Sequence, residues 1–377
     1  MHVIGILGGG QLAGMLAEAA GAMGCEVKIF ERDAVSPVSS LTGYTVNGDW
    51  NKRDEILRFA DSVDYITLEN EFVDPAILGM LESEGHNPVP TSRTMKLIQD
   101  KLIQKQTLQN TGIDVPEFHA VDSPVDLPPI GDKLGYPMVL KRRLMSYDGK
   151  GNTWVNVEGD SHSAWEKLKG REGGLFAEAY CDYLCELATI IVRARDGESL
   201  HYPVVETVQR NHICHKVFAP ARIPEELKLQ AADLAGRAVE SVDGIGAFGV
   251  EMFLMRDQRI LVNELAPRVH NSGHYTIEAC ETSQFENHLR VLLERPLGSV
   301  SMRAPSAVMI NILGSVTGSG IPRNMDSVSI PQNVGLHVYG KAQCRPGRKM
   351  GHVTALGDTI EEAEQLAEEA AGQIHFE

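Results

Sequence analysis

The chain opens with an apolar run at 3–7 and a glycine triplet. Apolar residues Leu12, Leu16, Ala19, Ala20 and Met23 then recur at helical spacing. Gly24 closes that helix, and a second apolar run follows at 26–30. A helix near 52–60 and a strand at 65–68 continue the alternation, which predicts a βαβ pattern around a parallel sheet. Pro116, Pro124, Pro128 and Pro129 mark 114–135 as a linker or irregular approach to a new unit. Strands at 138–141, 153–157 and 175–178, with a helix near 163–168, make that unit small and α+β. A third unit begins with strands at 187–193 and 202–208. Its helix over 225–242 places Leu227, Ala231, Leu234, Ala238 and Val242 on one face, just after Pro224. A hairpin follows, then one long helix over 275–293 that stops before Pro296. Strands at 307–312, 336–339 and 352–355 and an acidic amphipathic helix at 360–371 complete the pattern. The expected division is 1–113, 114–180 and 181–377.

The hairpin carries the most information. Gly249-Val250-Glu251-Met252-Phe253 and Leu261-Val262-Asn263-Glu264-Leu265 flank the polar Arg256-Asp257-Gln258-Arg259. With the turn centred between Asp257 and Gln258, Glu251 stands opposite Glu264 on one face, the Cβ atoms roughly 4.5–5.5 Å apart. Two carboxylates that close repel unless a positive charge lies between them. A hard cation with oxygen ligands is the natural occupant, and magnesium carrying a nucleotide phosphate is the commonest case. Solvated surface acids, or a register displaced by one, would leave the same letters without a site. The apolar flanks, Asn263 as a further oxygen ligand, and the following Arg268, His270, Asn271 and Ser272 favour a site.

Bulk properties narrow the class. The 377 residues are 43% hydrophobic and 23% charged, ordinary values for a soluble enzyme. Lys and Arg number 35 against 51 Asp and Glu, a net charge of −16. That balance argues against a general nucleic-acid or membrane-surface binder. No apolar run approaches the ~18 residues of a membrane helix, and the first residues form a strand rather than a leader. Six cysteines make no disulfide framework and point to a reducing compartment. Cys181, Cys185, His212, Cys214 and His215 can be drawn as a zinc site, but their spacing is wrong for one, and they read as incidental.

Gly8-x-Gly10-x-x-Ala13 follows a strand and opens a helix, with Glu31 ending the second strand. That fits the dinucleotide fingerprint and keeps a nicotinamide-dependent oxidoreductase as a competing class. The same glycines would admit any anion to the helix N-terminus. Lys141 ends an apolar strand before a loop, where a mobile point charge reaches phosphate. Tyr147-Asp148-Gly149-Lys150-Gly151-Asn152 then joins two strands with glycines two apart, either a tight turn or a lid whose N–H groups close over phosphates. Glu178-Ala179-Tyr180, leading toward Glu186, forms a connector where backbone can hold an adenine and a carboxylate a ribose.

Taken in order, these segments resemble the ATP-grasp superfamily, in which two α+β units clamp ATP. Within it they are most similar to the 5-(carboxyamino)imidazole ribonucleotide synthases. The carriers are Gly5-Ile6-Leu7-Gly8-Gly9-Gly10-Gln11-Leu12, Gln99-Asp100-Lys101, the 147–152 loop, Asn263 through His274, Thr282-Ser283-Gln284-Phe285-Glu286, and Tyr339-Gly340-Lys341 through His352. They span nearly the whole chain. Ile190-Ile191-Val192-Arg193, Val204-Val205-Glu206-Thr207 and Phe218-Ala219-Pro220-Ala221-Arg222 lean toward fungal forms, where this unit is fused to a carboxyaminoimidazole ribonucleotide mutase-type domain. Val269 stands where the family usually has proline, and Gln209 where a histidine near the nucleotide is common.

The resemblance implies a mixed α/β and α+β fold with a Rossmann-like pre-ATP-grasp domain, a lid and a C-terminal α+β domain. It implies ATP-dependent carboxylation of aminoimidazole ribonucleotide with bicarbonate through carboxyphosphate, in a cytoplasmic homodimer using magnesium or manganese. Glu251 and Glu264 would hold the metal beside Asn263. Lys101, Lys141, Gly149, Gly151, Glu178, Ala179, Tyr180 and Glu186 would serve ATP. Tyr147, Asp148 and Lys150 would line the imidazole and bicarbonate side, with Asp148 orienting the exocyclic amine. Arg268, His270, Asn271 and Ser272 would bind bicarbonate and carboxyphosphate, with His270 titrating near neutrality as the proton carrier. Lys341, Arg348 and Lys349 would take the ribonucleotide 5′-phosphate. A formate-using glycinamide ribonucleotide transformylase is the neighbouring alternative within the superfamily.

Overall fold

The computed structural model describes residues 1–32, 36–38, 45–145, 151–169, 173–323, 325 and 328–376. The predicted alternation at the start is present. Strands β1 (Val3–Leu7), β2 (Glu26–Glu31), β3 (Thr45–Asn47) and β4 (Tyr65–Leu68) form a parallel sheet in the order β3-β2-β1-β4. Helices α1 (Gln11–Ala22), α2 (Arg53–Ala60), α3 (Pro75–Ser83) and α4 (Ser92–Ile98) pack around it, and α5 (Lys101–Asn110) leads out. Asp100 caps α5 by accepting from the N–H groups of Leu102 and Ile103.

The stretch 114–135, expected to be irregular, is ordered instead. It holds β5 (Phe118–Val121) and α6 (Leu127–Leu134). Pro128 and Pro129 lie in the first turn of α6, where no intrahelical partner is needed for an N–H, so they start the helix rather than break it. With β6 (Met138–Arg142), β7 (Asn152–Val155), α7 (Ser161–Leu168) and β8 (Leu175–Ala179), they build an antiparallel sheet in the order β5-β8-β6-β7.

All but two of the remaining strands form one antiparallel sheet, in the order β14-β13-β9-β11-β12-β15-β19-β17 with β10 beside β9. They are β9 (Tyr183–Arg193), β10 (Ser199–His201), β11 (Val205–Arg210), β12 (Ile213–Ala219), then after helix α8 (Glu225–Ser241) β13 (Gly246–Met255) and β14 (Ile260–Ala266). The expected strand at 202–208 begins only at Val205, past Pro203, which has no N–H to donate, and β12 is absent from the expected pattern. Phe248, Val250, Met252 and Leu254 pack with Leu227, Leu234 and Val239 of α8. Burying each such side chain stabilises by about 1.5–3 kcal/mol. Alternation leaves Gly249, Glu251 and Phe253 on the opposite face.

The long helix expected over 275–293 is two helices, α9 (Thr276–Ala279) and α10 (Gln284–Leu292). Cys280 turns extended and bridges Met302, while Ser283 accepts from the Glu286 N–H and caps α10. The chain closes with β15 (Ser306–Leu313), the short pair β16 (Gly318–Ser319) and β18 (Gln343–Cys344), β17 (Val334–Val338), β19 (Lys349–Gly357) and α11 (Ile360–Ala371). The six cysteines form no disulfide. No described helix is long and apolar enough to cross a membrane.

Candidate active site

Glu251 and Glu264 are directly paired across β13 and β14. The local register that does this differs from the expected one. Met255 N–H donates to the Arg259 carbonyl, so the loop is three residues centred on Asp257, with Gln258 at φ +67°. Near the turn Leu254 faces Ile260 and Met252 faces Val262; Asn263 is then an extra residue, and beyond it Glu251 meets Glu264. The bulge at Asn263 restores the acid pair.

The pair sits among charges from three parts of the chain. Lys101 Nζ donates to Glu264 Oε2 at 2.5 Å. Burial, followed by the Glu264 and Glu186 carboxylates, pushes the Glu251 carboxyl up to about 7, with Lys101 and Lys349 opposing. Two facing carboxylates with one lysine on one of them are a donor set that fits a divalent cation. Glu71, Gln99, Lys101, Glu264 and Leu265 line one small cavity. A larger groove of about 360 Å³ at Glu82, Asn87, Arg93, Arg195 and Asp243 holds none of the expected chemistry.

His270 lies against the backbone of β13, its Nε2 3.6 Å from Glu251 Oε1. Its Nδ1 contacts Ser272 Oγ at 2.9 Å and accepts from the Ser272 N–H at 3.4 Å, which leaves the ring proton on Nε2. The expectation that His270 titrates near neutrality is not met. Burial and then the Arg268 and Lys349 charges push it down to about 3, so the ring is neutral at pH 7. Arg268 makes a bidentate pair with Glu71, with Nη2 to Oε1 at 3.1 Å. Burial alone would raise Glu71, but the guanidinium outweighs it and holds the carboxyl down at about 2. Asn271 exchanges two amide bonds with Asn311, 2.9 and 2.7 Å, so its side chain is engaged in the interior. Val269 is fully buried, and Gln209 lies at a β-bulge of β11 opposite Cys214.

Among the residues expected to serve ATP, Lys141 pairs with Glu178, and Lys105 stands 2.8 Å from the other oxygen of the same carboxylate. Glu178 and Lys105 are both buried. Burial would raise Glu178, but the two lysines hold it at about 2. The Glu178 carboxylate is therefore engaged by two lysines. Lys105 went unnoticed in the sequence, although it follows Lys101 by one helical turn. Ala179 ends β8 with its N–H on the Glu117 carbonyl, and the half-exposed Tyr180 stands edge-on to Trp154. Glu186 accepts from the Tyr183 hydroxyl at 2.7 Å, and Tyr183 stacks on Phe253. Arg143 grips Asp100, which ties the lid strand β6 to the start of α5. Gly151, at φ +97°, needs glycine. Tyr147, Asp148, Gly149 and Lys150 lie outside the described residues.

Lys341 Nζ donates to Gln11 Oε1 at 2.6 Å and to the Lys349 carbonyl at 2.5 Å, which joins β19 to the start of α1. Lys349 lies close enough to depress both Glu251 and His270. Arg348 turns to the Gln343 carbonyl. The glycine-rich start is occupied by the protein's own acids. Glu31 Oε2 accepts from Gly9 N–H at 2.6 Å, and Glu69 accepts from Ala13 N–H. A Cβ on Gly10 would stand 2.3 Å from Glu69 Oε1. These glycines make room for carboxylates at the very N–H groups a dinucleotide phosphate would need.

A Rossmann-like domain, a small antiparallel sheet and a large one, with acids and lysines converging from all of them, describe an ATP-grasp enzyme. Family models agree. The ATP-grasp domain matches 106–285, the ribonucleotide synthetase preATP-grasp domain 1–99, and the phosphoribosylaminoimidazole carboxylase C-terminal domain 307–366. The N5-carboxyaminoimidazole ribonucleotide synthase of Synechococcus elongatus is 36% identical, covering 98% of this chain and 94% of that protein. The chain belongs to the N5-carboxyaminoimidazole ribonucleotide synthase family. Phosphoribosylaminoimidazole carboxylase of Candida albicans is 40% identical over 96% of this chain, which spans 65% of that protein's length. The Aspergillus clavatus carboxyaminoimidazole ribonucleotide synthase complexed with ATP superposes with a TM-score of 0.89 at 38% identity, covering 99% of both chains. A second structure from that organism, with ADP and 5-aminoimidazole ribonucleotide, also gives 0.89, at 37% identity over 98% of both chains.

Proposed function

We propose that this chain carboxylates 5-aminoimidazole ribonucleotide with bicarbonate at the expense of ATP, giving the N-carboxylated ribonucleotide, ADP and phosphate. The observation that carries the reading is the cross-strand pair Glu251–Glu264 with Lys101 on it, in a family whose relatives are named for this product.

Bicarbonate is a weak electrophile, and phosphorylation converts one of its oxygens into a leaving group. Glu251 and Glu264, with Asn263 beside them, would hold magnesium, which neutralises charge on the transferring phosphoryl group. Lys101 and Lys141 supply mobile positive charge toward the phosphates, and Glu178 with Lys105 fixes Lys141. Arg268, held by Glu71, presents a permanent positive charge to the bicarbonate side. His270 acts as a neutral group with its proton on Nε2, orienting oxygen rather than shuttling a charge. Asn271 is a positioning residue through Asn311, while Lys341 and Lys349, with Arg348 near them, take the 5′-phosphate. The family resemblance supports the roles of Tyr147, Asp148 and Lys150 on the imidazole and bicarbonate side, of Gly149 in the lid over ATP, and the homodimer, cytoplasmic setting and fused mutase-type domain.

The test is ADP release. It should require aminoimidazole ribonucleotide and bicarbonate together. ADP release supported only by glycinamide ribonucleotide with formate would replace this reading by the sister transformylase.

A further inference from the structure

We infer that Gln284 is a positioning residue for the carboxylation step, gripping the main chain of His270 so that Arg268, His270 and Ser272 stay in register with the acid pair; this rests on the carboxylating reading. The side chain of Gln284 is completely buried. Its Oε1 accepts from the His270 N–H at 2.9 Å, and its Nε2 donates to the His270 carbonyl at 2.7 Å. Nε2 also faces His274 Nδ1 at 3.2 Å. One amide thus satisfies both main-chain groups of one residue, as a neighbouring strand would. Strand β14 has ended at Ala266, so no ladder serves His270.

The clamp is itself fixed. Gln284 is the first residue of α10, and its N–H donates to Thr276 Oγ1 at 3.0 Å. The Thr276 hydroxyl donates to the Gly273 carbonyl at 2.6 Å. A Cβ on Gly273 would meet Gln284 Oε1 at 2.7 Å, so that position must stay bare. Further along α10, His288 accepts from the Ala247 N–H and contacts Thr67 Oγ1, which anchors the helix to β13 and β4. The same device recurs before the loop. The buried Gln104 accepts from the Leu265 N–H at 2.9 Å and donates to the Leu265 carbonyl at 3.0 Å. Glutamine amides therefore clamp the chain at Leu265, beside Glu264, and again at His270.

The chemistry gives the clamp a consequence. In carboxyphosphate the carbonyl carbon is bonded to an oxygen that bridges to phosphorus. Attack by the exocyclic amine breaks that carbon–oxygen bond and yields carbamate, phosphate and a proton. Attack by water breaks the same bond and returns bicarbonate and phosphate, so ATP is spent without product. Which nucleophile wins depends on how well the loop is held.

The experiment compares wild type, Gln284→Met and Gln284→Glu with ATP, magnesium, labelled bicarbonate and aminoimidazole ribonucleotide. ADP and label-bearing carbamate are measured in the same alkali-quenched, early samples. Their ratio does not depend on how much of a variant has folded. For Gln284→Met the ADP-to-carbamate ratio should rise about threefold or more above wild type, with a higher KM for bicarbonate. In Gln284→Glu the introduced carboxyl, while protonated, can make both bonds to His270. Its ratio to that of wild type at the same pH should rise with pH as the carboxylate forms beside the carbonyl; His274 against the amide and the raised Glu251 carboxyl titrate in both proteins and cancel in the comparison. Ratios equal to wild type in both variants, with only total turnover reduced, would overturn the inference. A wild-type enzyme that forms no carbamate would instead overturn the carboxylating reading.

Discussion

The imidazole of His270 rests on the bare backbone of Gly249, where an added Cβ would lie 2.5 Å from His270 Cβ and Cγ. Gly249 is two residues before Glu251 on the same face of β13. The glycine therefore admits the histidine beside the acid pair. Gly249→Ala should leave the fold intact at a cost of about 1–3 kcal/mol, because the clamped loop has little room to give. Turnover should fall about 10-fold or more, since displacing a site group by an ångström is costly. Thermal unfolding and steady-state ADP release measure the two effects.

Glu264→Gln removes one carboxylate of the pair and the partner of Lys101. The variant should keep its circular dichroism spectrum and lose ADP release by about 100-fold or more. It should also need more magnesium for ATP binding, which fluorescence titration with a nucleotide analogue can follow. Near-normal turnover in the folded variant would remove the metal assignment.

The Glu71–Arg268 pair sets a pH dependence. Glu71 is held at about 2, below its ordinary value of 4.5. A carboxyl depressed by folding contributes stability that is present above its unfolded pKa and lost as pH falls through its folded one. Glu71→Gln should therefore be less stable than wild type at pH 7, by about 2–4 kcal/mol, because it leaves the Arg268 charge poorly paired. The gap should narrow between pH 4.5 and pH 2 as wild-type Glu71 takes up its proton. Urea unfolding at stepped pH reads this directly.

Lys105→Met leaves Glu178 with Lys141 as its one cation of the present pair. Breaking a buried pair from one side should cost about 3–5 kcal/mol. Because Lys141 is positioned through Glu178, the KM for ATP should rise as well. Unchanged melting temperature and KM would show that the buried pair is not holding the nucleotide lysine.

The acid pair was legible in the sequence because its partners are 13 residues apart across a short turn, within reach of register arithmetic. The arithmetic reached the right pair through compensating errors: the turn lies half a position earlier, and the Asn263 bulge makes up the difference. Most strands and α8 were legible for the same local reason. The break between α9 and α10 also had a signal, since Ser283-Gln284-Phe285-Glu286 is a capping pattern that outranks the continuing apolar spacing. What was not legible were partners set by tertiary folding. Glu71 meets Arg268 197 residues away, and Gln104 meets Leu265 161 residues away. Nothing local marks such pairs. The glycine-rich start left a nicotinamide-dependent oxidoreductase open as a competing class because its spacing records close approach by an anion, and the anions there are Glu31 and Glu69 of the chain itself.

The most direct measurement of the central claim follows oxygen. Bicarbonate labelled with ¹⁸O is turned over with ATP and aminoimidazole ribonucleotide, and the released phosphate is analysed by mass. Phosphorylation of bicarbonate followed by carbon–oxygen cleavage leaves one bicarbonate oxygen on each phosphate, so the label should appear there in proportion to turnover. Phosphate formed without label, while ADP is released at the normal rate, would contradict the account.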